Sequence, residues 1–215
     1  MASTKIVKNI CINGDAGKLE AIFNPVEKPK FLAVVCHPHP LYQGTMHNKV
    51  VVHAAKALAS LGGAVLRFNF RGVMASDGAY DNGNGEEQDV KSAVNFLVNE
   101  YSADEVPLFV VGFSFGAWVG LKYGAHDDRV QFLIGLGLPL RMFSVEKFMK
   151  STKPKLLIWG DSDELCPMDD VNQLVRSLSE PKEVRIVAKA DHFFTGQLQG
   201  MTSFLEDWVK QRILQ

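Results

Sequence analysis

The stretch PLFVVGFSFGAWVGLKYG, Pro107–Gly124, decides the fold. It opens on a continuous apolar run of strand length, the pattern of a strand buried on both faces of a sheet. From about Ser114 to Gly124 it reads as a helix. Between the two stands Gly112-Phe113-Ser114-Phe115-Gly116, a G-x-S-x-G pattern. Five residues alone recur by chance, and the strand before and helix after give them meaning. A serine in such a turn adopts a strained backbone that lifts its hydroxyl above the sheet. Gly112 and Gly116 remove side chains where strand and helix converge. A helix starting at Ser114 also aims N–H groups and its positive dipole end at an oxyanion forming there. The competing reading is a plain strand-to-helix turn with glycines for packing.

Working outward, such a nucleophile needs a base and a carboxylate to orient it, each at the end of a later strand. KLLIWG (Lys155–Gly160) ends in Asp161-Ser162-Asp163-Glu164, and EVRIVA (Glu183–Ala188) runs into Lys189-Ala190-Asp191-His192. His192 is therefore expected to take the proton of Ser114 and return it to the leaving group, with a carboxylate of the acid loop, Asp163 as first candidate, on the other ring nitrogen. Asp161, on the same loop, is the rival orienter. Asp191 is a poorer one, being adjacent to the histidine. Upstream, FLAVVC (Phe31–Cys36) leads into His37-Pro38-His39-Pro40. The prolines carry no N–H, so between them only His39 can donate a backbone hydrogen bond. The main-chain N–H groups of His39 and Phe115 are the expected oxyanion hole.

Two other chemistries compete. His37, His39, His47 and His53 cluster in sequence, but metal sites need three or more convergent ligands, and carboxylates and cysteines nearby are few. No metal and no cofactor are expected. Cys166 follows the acid loop without a turn of the Ser114 kind and reads as a small packing residue.

Around these motifs the elements alternate. KIVKNICI (Lys5–Ile12) and KLEAIFN (Lys18–Asn24) flank the turn signal Asn13-Gly14-Asp15 and read as a hairpin. Met46–Gly63 is a helix ending in glycines, Ala64–Phe70 a strand, and Glu86–Tyr101 an amphipathic helix with acidic residues in its first turn. Val130–Gly137 is a further strand, and helices are expected between Pro167 and Leu178 and between Gln199 and Ile213. Repeated alternation implies right-handed crossovers, hence an α/β fold: a mostly parallel sheet with helices on both faces and the hairpin at one edge. Only Leu138–Pro154 separates the sixth strand from the acid strand, so any cap is minimal. Its piece Leu140–Lys150 suits one short helix, with Met142, Phe143, Phe148 and Met149 either lining an acyl pocket or packing onto the core.

With 215 residues, 47% hydrophobic and 22% charged, the chain is expected to be one α/β domain over 1–215. A formal charge of −1 gives no electrostatic reason for a nucleic-acid or anionic-membrane partner. The longest apolar run, Phe132–Leu140, is too short to cross a bilayer, and MASTKIVKN lacks the apolar stretch of a secretory signal. Cys11, Cys36 and Cys166, odd in number and widely spaced, suit free thiols in a reducing cytoplasm, the expected location. A homodimer through the late-strand edge and final helix is left open.

Taken together, HPHPLYQGTM (His37–Met46), RFNFRGVMASDG (Arg67–Gly78), GFSFG, GDSDELCP (Gly160–Pro167) and ADHFF (Ala190–Phe194) resemble the small bacterial serine hydrolases of the α/β-hydrolase superfamily. Their hallmark is an H-P-H-P-x-x-G-G-T-M stretch, and the likeness runs from about His37 to the C-terminus. Gln43 stands where that group has the first of two glycines, and Met74 where it usually has one. The resemblance implies the α/β-hydrolase fold, Asp163 as the acid through the pattern G-x-x-D, and hydrolysis of a small-molecule ester, in the manner of a carboxylesterase. A thioesterase, amidase or peptidase would use the same residues, and a non-catalytic binding module is the reading from a different class. Arg67, Arg71 and Glu86 also fall in matching positions, where structural roles are expected, Arg71 tying its loop to neighbouring carbonyls or carboxylates.

Overall fold

The structure, a computed structural model, describes residues 7–101 and 106–213. Strands β1 (Lys8–Gly14) and β2 (Gly17–Asn24) form the hairpin. Its loop is Asp15-Ala16, one step beyond the expected turn, and Gly17 turns the chain at φ 122°. Lys5 and Ile6, part of the expected first strand, lie outside the described residues.

There follow β3 (Phe31–Cys36), a 3₁₀ turn (Pro40–Tyr42), α1 (Lys49–Ser60), β4 (Gly63–Phe68), α2 (Asn84–Tyr101), β5 (Leu108–Phe113) and α3 (Phe115–Gly124). Then come β6 (Phe132–Leu136), α4 (Glu146–Met149), β7 (Lys155–Gly160), α5 (Met168–Ser177), β8 (Lys182–Val187) and α6 (Leu198–Ile213). The sheet runs β1-β2-β4-β3-β5-β6-β7-β8, with β1, β2 and β4 paired antiparallel and every pair from β4 to β8 parallel.

The central strands β3, β5 and β7 are buried at every residue, which is why their sequences do not alternate. One core face packs α1 and α6 through Val50, Val51, Ala54, Leu58, Met201, Leu205 and Trp208. The other packs α2, α3 and α5 through Val90, Val94, Leu97, Val119, Leu121, Val171 and Leu174. Because β3 has β4 on one side and β5 on the other, the winding reverses between β3 and β5. Open α/β sheets bind ligands beyond the carboxyl ends of strands at such a point.

Two expected boundaries shift for local reasons. Helix α1 begins at Lys49 rather than Met46, because Asn48 caps it, its Oδ1 accepting from Val50 N at 2.9 Å. Strand β4 ends at Phe68: Asn69 N still donates to Glu20 O of β2, but the Phe70 N–H turns away to the His37 ring. The segment between β6 and β7 carries only the four-residue α4.

Candidate active site

Ser114 follows β5 directly, at φ 56° and ψ −121°, the strained turn its motif predicts. A Cβ at Gly112 would collide with the Gly116 carbonyl, and one at Gly116 with the carbonyls of Cys36 and His37. Both glycines are therefore steric requirements, and the second lets the start of α3 lie against the end of β3.

Three side chains from three strand ends meet here. Ser114 Oγ lies 3.0 Å from His192 Nε2, and His192 Nδ1 lies 2.8 Å from Asp163 Oδ2. A carboxylate only accepts, so Nδ1 carries the ring hydrogen and Nε2 is free to accept from the serine hydroxyl. The three residues are 7%, 7% and 3% exposed, so little water screens them. Asp163 Oδ1 accepts from Leu165 N at 2.9 Å, which fixes the carboxylate. The rival acids are engaged elsewhere. Asp161 accepts from Ser162 Oγ and from Lys189 N, tying its loop to the one after β8, and Asp191 accepts from Phe193 N and Thr195 N within its own loop.

His39 caps the 3₁₀ turn, its Nδ1 accepting from Leu41 N, so its other nitrogen donates to Tyr80 Oη at 3.2 Å. Its ring packs 4.8 Å from that of Phe115. Among the described residues neither the His39 nor the Phe115 main-chain N–H has a protein acceptor. His37 was not singled out by sequence for this site. It is fully buried; Phe70 N donates to its Nε2 at 3.0 Å, so its Nδ1–H donates to Pro38 O at 2.6 Å. That carbonyl belongs to the same peptide group as the His39 N–H. The buried ring thus clamps the peptide plane from its far side, and burial lowers its pKa to about 3, keeping it neutral.

The four sequence-clustered histidines do not converge. The single group of three potential metal ligands within 4.8 Å among the described residues is Asp163, Cys166 and His192. There Asp163 and His192 engage each other, and the Cys166 thiol, its pKa pushed up to about 12 by burial, donates to Leu138 O. Cys166 is 1% exposed, as a packing residue should be.

Ser114 opens into a chamber of about 270 Å³ walled by Tyr42, Phe115, Met142, Phe143, Leu165 and Phe193. No Asp, Glu, Lys or Arg lines it, and burial lowers the pKa of His39 as well. Phe143 stacks on Trp118 at 4.3 Å and 13°, and Trp118 Nε1 donates to Ser144 O, which pins the short cap segment over α3. Phe148, by contrast, is buried in the core and Met149 packs against that core, so half of the expected apolar quartet serves packing. Arg71 holds Asp89 with its guanidinium and backbone N–H, Arg67 donates to Met46 O, and Glu86 accepts from Asp81 N and Gly83 N at the start of α2.

The model of a family described as alpha/beta hydrolase domain matches residues 43–210. An uncharacterised protein of Rickettsia prowazekii (strain Madrid E) is 33% identical over 209 residues, covering 93% of this chain and 87% of that one. The solved structure of an alpha-beta serine hydrolase homologue from Coxiella burnetii is similar at TM-score 0.86 and 37% identity, over 93% of this chain and 96% of that. A Xanthomonas campestris protein, described as an a/b serine hydrolase without lid, matches at TM-score 0.86 and 31% identity, over 98% and 96%. The strand order, the strained turn after β5 and the family match agree, and the chain belongs to the alpha/beta hydrolase domain family.

Proposed function

We propose that the protein is a serine hydrolase cleaving small to medium carboxylic esters through an acyl-enzyme. Ser114 is the nucleophile, His192 the general base and then acid, and Asp163 the residue that orients the imidazole. The observation that carries this reading is the unbroken chain Ser114 Oγ–His192 Nε2, His192 Nδ1–Asp163 Oδ2 at 3.0 and 2.8 Å.

In the first half-reaction His192 removes the hydroxyl proton as Oγ bonds to the ester carbonyl carbon. The resulting oxyanion lies against the His39 and Phe115 N–H groups, each worth on the order of 3 kcal/mol there. Collapse breaks the bond to the alcohol oxygen, which takes the proton from His192. Water then repeats the sequence, with His192 again as base, and releases the acid and free Ser114. The imidazolium formed at each step is stabilised by the Asp163 carboxylate.

The chamber favours an apolar acyl group. At about 270 Å³ the chamber is at the low end of pockets for small organic ligands, which run roughly 300–1,000 Å³. That suits short, medium or single-ring acyl groups rather than long chains. The test is a panel of acyl esters, thioesters and amides of graded chain length. We expect kcat/KM to be highest for esters and to peak at acyl chains of about four to eight carbons. A maximum on thioesters, or amides cleaved as fast as esters, would replace this reading with another acyl transfer.

A further inference from the structure

Beside the Ser114 chamber lies a second cleft of about 520 Å³. Gln43, Asn48 and Phe193 form the wall they share. Their chemistry differs. The cleft is lined by Thr45, His47, Lys49 and Thr195, and no carboxylate lines it. Lys49 is exposed, and no ion pair among the described residues engages it. The carboxylate nearest in sequence to Thr195, Asp191, is occupied by the N–H groups of Phe193 and Thr195. Lys49 is thus the one Lys, Arg, Asp or Glu among the residues that line the cleft.

Proton delivery fixes which half of an ester faces it. The alcohol oxygen must leave toward His192, which protonates it. Phe193 follows His192 in the chain, its ring 5.4 Å from the imidazole, and forms part of the wall shared with the cleft. With an acyl group in the apolar chamber, the wall at Phe193 is where the His192 side of that chamber adjoins the polar recess. We propose that this recess is the leaving-group subsite and takes an alcohol bearing an anionic group, a phosphate or carboxylate, with Lys49 as its counter-ion. The assignment rests on the ester-hydrolase reading and adds the substrate class: an apolar acyl group joined to an anionic alcohol.

The test compares butyrate esters of 1-propanol, 3-hydroxypropyl phosphate and 3-hydroxypropanoate, followed by titration of released butyrate. Wild type is expected to prefer one or both anionic esters over propyl butyrate by about fivefold in kcat/KM, mainly through KM, and less in 1 M salt. Lys49→Glu should invert that ratio and Lys49→Gln bring it near one. A glutamate in the first turn of α1 suits the helix dipole, so the variant is expected to fold. A wild-type ratio of one, or a ratio that Lys49→Glu leaves alone, overturns the subsite while propyl butyrate cleavage still stands. If folded wild type cleaves none of the three, the ester-hydrolase reading fails and the subsite with it.

Discussion

At the scale of single residues, the account rests on one proton path and one peptide group. The His39 N–H can be removed without moving the backbone, because His39 sits at φ −55°, within the range that proline imposes. His39→Pro is expected to lower kcat by about 10²- to 10³-fold relative to His39→Ala, which loses the ring but keeps the donor. Equal kcat in the two variants would remove His39 from the oxyanion hole. His37 holds that same peptide through Pro38 O, and the proposed mechanism makes it a positioning residue. His37→Ala should lower kcat more than it raises KM, and His37→Asn, whose amide can still donate to Pro38 O, should recover part of the loss. His37 also predicts a pH effect. Its pKa falls from 6.5 when unfolded to about 3 when folded, so the unfolded chain binds the extra proton. The stability of keeping it neutral is full above pH 6.5 and is lost as pH falls from 6.5 toward 3. The stability gap between wild type and His37→Asn, read from denaturant titrations, should therefore narrow over that window; a constant gap contradicts the assignment. The sequence pointed to Ser114 and His192 because each follows a recognisable strand, to Asp163 through the resembled G-x-x-D pattern, and to His39 because two prolines isolate it. It was silent on His37, whose role depends on Phe70, 33 residues away and met only in three dimensions.

At the scale of elements, the two departures from the resembled motif share one backbone feature. Gln43 and Met74 both occupy left-handed backbone, at φ 61° and 51°, where glycine is unstrained. Met74 is exposed, so packing does not hold it there. Met74→Gly is expected to stabilise by up to about 1 kcal/mol, the relief being partly offset by the freer unfolded chain. Met74→Val, β-branched at the same φ, should destabilise by at least about 1 kcal/mol. Thermal or denaturant unfolding ranks the three, and a valine variant as stable as wild type would contradict the strain. Strand and helix types were readable from the apolar runs and spacing of β3, β5, β7 and α1. Their ends were less so: α1 starts at the Asn48 cap, inside the expected Met46 start, and the early end of β4 depends on the His37 ring taking the Phe70 N–H. Phe143 and Phe148 were indistinguishable by sequence, since only the Trp118 stack and the core decide which of them faces the chamber.

At the scale of the molecule, the parallel order β4-β3-β5-β6-β7-β8 brings the carboxyl ends of β3, β5, β7 and β8 to one edge of the sheet, where His39, Ser114, Asp163 and His192 meet. Alternation in the sequence foretold that convergence. The two-compartment cleft it did not foretell, because Lys49 and Thr195, from α1 and the loop before α6, carry no motif, and the ADHFF stretch says nothing of the wall that Phe193 forms. Among the described residues no helix is long and apolar enough to cross a membrane, and with only α4 between β6 and β7 the chamber opens directly to solvent. Reaction with a fluorophosphonate tests the convergence most directly, since phosphonylation needs the hydroxyl, the base and the oxyanion donors together. Intact mass and peptide mapping are expected to find a single adduct on Ser114, absent from Ser114→Ala and formed at least about 10³-fold more slowly in His192→Ala. A folded wild-type protein that stays unlabelled, or carries the adduct on another residue, would contradict the account.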